Sequence, residues 1–370
     1  MYRKFKNNSK ALFLTPFIES GRIAAGQQAS LVTGLPDAPN ITSYSGYLTV
    51  NKEFNSNMFF WYFPALNKDK RAPLLIWLNG GPGDSSLSGL FNRNGPLILD
   101  ENGRPSIRQY TWAQEFSMIY IDNPVGAGFS FTQNDLGYAR NDTDVSRDLY
   151  TALQQFFTLF PNERLNDFYI TGESYAGKFV VALAYKIHTE GKASNINLKG
   201  IALGNGRIDM ATQFTFGEQL FQMGLIDENQ KNVFINQETK AKNFIKNKQY
   251  IDAYTIYQWV FPYFRQITAN PWMPTLLDNY KVLIYTGNVD IIVSAPATEN
   301  YIRTIQWSKA QQYSRAQRVI WKVDNQIAGY VRQVGGLVQA VVRNAGHFVT
   351  YDKPKAGLDL ITRFVKNKPF

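Results

Sequence analysis

Ser174 lies in the run "TGESYAGKFV" (171–180), where an apolar stretch ending in "DFYIT" stops at a glycine and a helical pattern begins. Small neighbours on both sides of a lone serine suit a sharp strand-to-helix turn that presents the hydroxyl. A serine hydroxyl is a poor nucleophile until a base takes its proton. The chain offers two histidines. His188 falls on the helical stretch "VVALAYKIHTEGK" that leads away from the serine, where an exposed helix-end histidine is the simplest account. His347 stands in "NAGHFVTYDKP", directly after an apolar run, in the kind of loop a base needs. A carboxylate must then hold the imidazole tautomer and stabilise its charged form. Asp290 in "YTGNVDIIV" sits just past a strand-like run, although in isolation it reads equally well as a turn aspartate.

A serine attack on a carbonyl also needs amide donors for the oxyanion. "WLNGGPGDSS" (77–86) supplies a glycine-rich loop after an earlier apolar run, with Gly81 as one candidate donor and the N–H of Tyr175 as the second. A phosphate cradle does not fit this loop, because neither the Lys-Ser/Thr of a P-loop nor a G-x-G-x-x-G spacing is present. With no cysteine and two histidines, thiolate catalysis, disulfides, cysteine-ligated metal and multi-histidine metal sites are all excluded. No metal and no cofactor are expected.

The elements that must position these groups follow from periodicity. "PLLIWL" (73–78), "FSMIYID" (116–122), "DFYITG" (167–172), "LKGIALG" (198–204), "KVLIYTG" (281–287) and "LVQAVVRNAG" (337–346) are short apolar runs of the kind that form buried strands. Residues 44–66 read as a hairpin. Between the runs lie helical patterns such as 144–160, where Leu149, Leu153, Phe156 and Phe157 share a face. Alternating strands and helices predict an α/β fold with a mostly parallel sheet flanked by helices. Residues 207–278 break the rhythm with a Lys-, Asn- and Gln-rich amphipathic stretch, so the expected organisation is a core over 1–206 and 279–370 with a helical cap at 207–278. The order Ser174, Asp290, His347 matches that of α/β hydrolases.

Composition narrows the class further. Hydrophobic residues make up 44% of the 370, enough for a sizeable core and against disorder. Lys and Arg outnumber Asp and Glu by 39 to 29, but they are dispersed, with no interleaved basic–aromatic block for single-stranded nucleic acid. No segment approaches the length of a membrane span. The start, "MYRKFKNNSKALFLTPF", has no long apolar core, so no signal peptide is expected in it. Sequons at Asn7, Asn40 and Asn141 are candidate glycosylation sites and favour secretion mildly.

The stretches "WLNGGPGDSSLSGLF", "NGPL", "YIDNPVGAGFSF", "DFYITGESYAG", "LKGIALGNG", "VLIYTGNVDIIV" and "NAGHFVTYDKP" resemble the serine carboxypeptidases, and "LFLTPFIESGRI", "SYSGYLTV" and "WKVDNQIAGYVRQVGG" resemble their vitellogenic carboxypeptidase-like branch. The resemblance runs in order along nearly the whole chain. It implies an α/β-hydrolase core with a helical cap, and removal of residues from peptide C-termini. It also implies the triad Ser174, Asp290, His347, oxyanion amides at Gly81 and Tyr175, and a substrate carboxylate gripped by Asn79 and Glu173 beside Gly80. Glu173 must be protonated for that role, since two ionised carboxylates repel.

Three departures from the family pattern stand out. Arg93 occupies the usual glutamate position before Gly-Pro, Asp84 a frequent cysteine position, and Phe348 the usual methionine position after the histidine. Arg93 would either pair with the substrate carboxylate, the favoured expectation, or pair with Glu173 and lower its pKa. The cap is short for the family. The resemblance implies a secreted, lysosomal or endosomal setting, a peptide partner with a free C-terminal carboxylate, no nucleic acid, and a possible homodimer. Two other readings compete with the carboxypeptidase: an esterase or acyltransferase on the same triad, and a non-catalytic binding protein.

Overall fold

Each apolar run is too short for a stable helix and is bounded by glycine or polar residues, so it buries both faces as a strand. In the computed structural model, which describes residues 11–33, 35, 41–260 (257–260 as backbone only) and 271–370, the strands are β1 (Tyr44–Asn51), β2 (Ser56–Phe63), β3 (Leu74–Leu78), β4 (Leu97–Leu99), β5 (Pro105–Ile107), β6 (Ser117–Ile121), β7 (Phe168–Glu173), β8 (Leu198–Gly204), β9 (Lys281–Gly287), β10 (Val319–Val323), β11 (Gln326–Val334) and β12 (Leu337–Val342). β4 and β5 form a separate small ribbon. The others make one ten-stranded sheet in the order β1-β2-β6-β3-β7-β8-β9-β12-β11-β10. From β6 to β12 all neighbours run parallel, and the antiparallel pairs β1–β2 and β11–β10 extend the two edges.

Side chains alternate across the sheet. Leu74, Ile76 and Leu78 of β3 join a core with Leu149, Leu153, Phe156, Val180 and Leu183, from the helices Asp142–Leu159 and Ala176–Glu190. Leu75 and Trp77 face the opposite core, with Leu360, Ile361 and Phe364 of the helix Pro354–Val365. Asn141 starts the first helix by accepting the N–H of Asp144 at 2.9 Å, a side-chain cap whose loss costs about 1 kcal/mol. Burying Phe156 completely contributes roughly 2–3 kcal/mol.

Between β8 and β9 the described chain is helical: Met210–Gln213, Gly217–Gln222, Glu228–Lys246, Tyr250–Val260 and Met273–Asn279. Met210, Phe214, Phe216, Ala241, Ile245 and Ala253 form their own small core there. Met273, Leu276 and Leu277 instead join the main core, so the last of these helices packs with the sheet layers. The long helix Glu228–Lys246 begins with a capping box between Asp227 and Gln230. The run 337–346, expected as one strand, stops at Val342. Arg343 N–H still donates to the Ala328 carbonyl of β11 at 2.8 Å, and Asn344 then adopts φ 56°, which bends the chain out of the ladder. Among the described residues no helix is long and apolar enough to cross a membrane.

Candidate active site

In open α/β sheets, loops at the carboxyl ends of the parallel strands converge on one crevice. Here β3 delivers Asn79 to Gly81, β6 delivers Asp122, β7 ends at Glu173 before Ser174, β8 precedes Asn205, β9 precedes Asp290 and β12 precedes His347.

Ser174 has φ 62°, a left-handed backbone that a non-glycine residue adopts only under constraint. Its N–H donates to Gly204 O at 2.9 Å, and its carbonyl accepts from Arg207 N at 2.9 Å and Gly177 N at 3.0 Å. The small neighbours are steric necessities. A Cβ at Gly172 would lie 2.8 Å from Leu78 O, and one at Gly177 would lie 2.7 Å from Arg207 O. Gly177 is thus the tight position after the serine, and Ala176 fits where it stands.

His347 joins the other two expected groups. Its Nε2 is 2.9 Å from Ser174 Oγ and its Nδ1 is 2.9 Å from Asp290 Oδ2. Asp290 is 1% exposed. Its Oδ1 accepts from Ile292 N at 2.7 Å, and its Oδ2 accepts from Val293 N at 3.2 Å and from Asn205 Nδ2. Burial alone would raise the Asp290 carboxyl, but the hydrogen bond and charge of His347, with Ile292 and Asn205, hold it below the usual aspartate range. Gln219, from the helical segment, donates to the Asp290 carbonyl at 2.7 Å. His188 is elsewhere, on the last turn of its helix with Nδ1 3.2 Å from Tyr280 Oη.

The glycine-rich loop after β3 lies directly on the serine turn. A Cβ at Gly80 would come within 2.6 Å of Tyr175 N and 2.8 Å of Glu173 O, so only glycine lets the two backbones meet. Gly81 follows with φ 106°, a second glycine-only geometry. The Tyr175 N–H stands at the start of the helix Ala176–Glu190, where the peptide dipoles favour negative charge.

Beside these lies a buried ion pair. Arg93 Nε donates to Glu173 Oε1 at 2.9 Å, and both side chains are buried. The Phe348 ring covers the guanidinium, with Cζ 3.6 Å from the ring centroid. Asn79 Oδ1 accepts from Trp77 Nε1 at 2.7 Å, which leaves the Nδ2 hydrogens for another acceptor. Of the two pairings expected for Arg93, the one present in this structure is with Glu173. Burial outweighs the lowering that this pairing brings to Glu173. Burial pushes its carboxyl above the usual glutamate range, and the opposing pull of Arg93 and His347 is smaller. One ion pair does not repay the dehydration of this carboxylate.

Of the sequons, Asn141 is exposed at its helix start, while Asn7 and Asn40 lie outside the described residues. Sequence reasoning passed over Asp122, Asn205 and Gln219, which hold the site together. Asp122 and Asn205 follow strand ends within "YIDNPVGAGFSF" and "LKGIALGNG", and that placement was the available signal.

A family model described as serine carboxypeptidase matches residues 34–260 and 242–367. The venom serine carboxypeptidase of Apis mellifera is 41% identical, covering 97% of this chain and 91% of its own length. The human probable serine carboxypeptidase CPVL is 38% identical, covering 98% and 91%. The vitellogenic carboxypeptidase of Aedes aegypti is 36% identical, with the same coverage of 98% and 91%. These alignments span 428, 433 and 430 positions, more than the 370 residues present, so the relatives carry internal residues this chain lacks. The crystal structure of Kex1, a prohormone-processing carboxypeptidase from Saccharomyces cerevisiae, superposes with a TM-score of 0.80 at 21% identity, over 92% of this chain and 96% of that one, which shows the shared fold.

Proposed function

The chain belongs to the serine carboxypeptidase family, an α/β hydrolase, and on that premise we propose how its residues divide the work of removing a peptide's C-terminal residue. Ser174 Oγ attacks the last peptide carbonyl carbon as His347 Nε2 takes its proton. Asp290, kept ionised, holds the Nδ1–H and stabilises the imidazolium. The amides of Gly81 and Tyr175 receive the oxyanion. Collapse breaks the C–N bond, and the departing amine takes the proton from His347. Water, deprotonated by the same base, then hydrolyses the acyl-enzyme on Ser174.

The free carboxylate of the leaving residue is read by Asn79 Nδ2, by Glu173 in its protonated form and by Arg93, against Gly80 and the face of Phe348. The raised Glu173 carboxyl supports this, because a proton there is a donor where an ionised pair would repel. The observation that carries the whole reading is His347 bridging Ser174 and Asp290 at 2.9 Å on each side, on a serine whose backbone is held at φ 62°. The venom relative and the exposed Asn141 support a secreted or lysosomal/endosomal setting.

The test compares one peptide with a free and with an amidated C-terminus, following products by mass spectrometry. The free acid should lose single residues from its end. The amide should react about 10–100-fold more slowly, the cost of the lost charge-assisted contacts. Equal rates would remove the carboxylate pocket from the account.

A further inference from the structure

Asp122, at the end of β6, is 1% exposed, and the donors around it are neutral. Its Oδ1 accepts from Ser85 Oγ at 2.6 Å and from Ser86 N at 2.8 Å. Its Oδ2 accepts from Phe129 N at 2.8 Å. The two oxygens thus face two different loops: the glycine-rich loop that carries Gly81, and the loop following Asp122 itself.

The first of these loops has little stiffness of its own. Gly81 and Gly83 take φ 106° and 99°, and glycine is free to leave those values at small cost. Its internal ties include Asp84 N to Gly80 O at 3.1 Å, Asn79 N to Ser86 Oγ at 3.2 Å and Leu87 N to Ser85 Oγ at 3.2 Å. Asp122 adds an external one, anchored to the sheet through its own N–H on Phe59 O at 3.0 Å. The second loop is shaped around the same carboxylate. Gly128 has φ 53°, and a Cβ there would sit 2.1 Å from Asp122 Oδ2. Ser130 Oγ closes the loop by donating to the Asp122 carbonyl at 2.6 Å.

We propose that Asp122 is a positioning residue for the oxyanion site, its two carboxylate oxygens setting the glycine-rich loop so that the Gly81 amide points at the tetrahedral intermediate. The inference rests on the oxyanion role proposed above for Gly81. Only a carboxylate satisfies both loops at once. Asparagine has nearly the same shape but presents one acceptor and one donor. Turned either way, its NH2 meets the N–H of Ser86 or the N–H of Phe129. A buried donor facing a donor is unsatisfied, and the loop on that side must move to relieve it.

The experiment uses the full chain with Asp122→Asn and Ser85→Ala, which removes one of the two bonds to Oδ1. Three quantities separate positioning from general damage: kcat, the inhibition constant of a peptide boronate, and the inhibition constant of the cleaved product peptide. A boronate bonded to Ser174 Oγ is tetrahedral and places one oxygen where the oxyanion forms; the product peptide makes no such demand. Complete loss of an oxyanion donor costs about 10²–10³ in kcat. A misaimed donor should therefore cost about 10–100-fold in Asp122→Asn and less in Ser85→Ala. Boronate affinity should fall by the same factor as kcat, while KM and product binding stay within about twofold.

Wild-type kcat and boronate affinity in Asp122→Asn would overturn the proposal. So would equal losses of boronate and product binding, which mark a general structural role. If Asp122→Asn does not fold, Ser85→Ala decides alone: the same split supports the proposal and its absence overturns it. Failure of the underlying hydrolase reading looks different, since wild-type protein would then form no boronate adduct at Ser174.

Discussion

Two buried carboxyls stand at the same end of the sheet and are shifted in opposite directions. Asp290 and Glu173 are 1% and 3% exposed, so burial pushes both upward. Asp290 gathers donors from Ile292, Val293, Asn205 and His347, and these overcome burial. Glu173 is bonded to the full charge of Arg93 at 2.9 Å and still stays high. Several convergent donors replace the water a carboxylate has lost, whereas a single guanidinium must itself be dehydrated to arrive. The division suits the chemistry. In the proposed mechanism one carboxylate stays charged beside an imidazolium, and the other donates a proton to an anionic substrate end.

Removing the charge at Asp290 should have the largest effect. Asp290→Asn is expected to lower kcat by up to about 10⁴-fold by favouring the wrong imidazole tautomer, with little change in thermal unfolding. A loss below about tenfold would erase the functional contrast between the two carboxyls.

Glu173→Gln tests the other side. Glutamine keeps a donor for the substrate carboxylate but cannot titrate. In the wild type, kcat/KM should be highest while Glu173 is protonated and should decline as pH rises through its raised pKa. The variant should lose that decline and fall about tenfold at acid pH, where geometry alone differs. An unchanged alkaline limb would assign it to another group.

Arg93→Glu replaces a fixed positive charge by a second carboxyl that must share a proton with Glu173. Losing the guanidinium and gaining a like charge should hold the shared proton more tightly, so the alkaline decline of kcat/KM on a blocked dipeptide should move to higher pH, by about one unit. Superimposable profiles would place Arg93 outside substrate recognition. The smallest effect belongs to His188→Ala. That ring bonds Tyr280 far from the serine, so kcat should stay within about twofold and stability should change by no more than about 1 kcal/mol. Damage matching that of His347→Ala would mean the base had been misidentified.

The parts of this contrast that sequence could show were those carried by local pattern. A strand, a glycine and a lone serine announce the turn around Ser174, and Asp290 and His347 each follow an apolar run directly. The central strands were visible for the same reason, since burial on both faces makes them continuously apolar. The edge strands β10 and β11 were not read as strands, because edge residues such as Val319, Ile320 and Tyr330 are exposed and polar residues interrupt the run. Their turn, Asp324-Asn325 with φ 49° and 62°, is the clue that was there. Asp122, Asn205 and Gln219 act through partners distant in the chain, and only folding reveals them. The pairing of Arg93 with Glu173 also joins distant segments. Its electrostatic outcome depended on burial, which a sequence does not report.

The most direct test of the central claim is intact-protein and peptide mass spectrometry after treatment with a fluorophosphonate probe, comparing wild type with Ser174→Ala. The account predicts a single adduct located on Ser174 and none in the variant, together with loss of carboxypeptidase activity in step with labelling. An adduct elsewhere, or peptidase activity that survives Ser174→Ala unchanged, would contradict it.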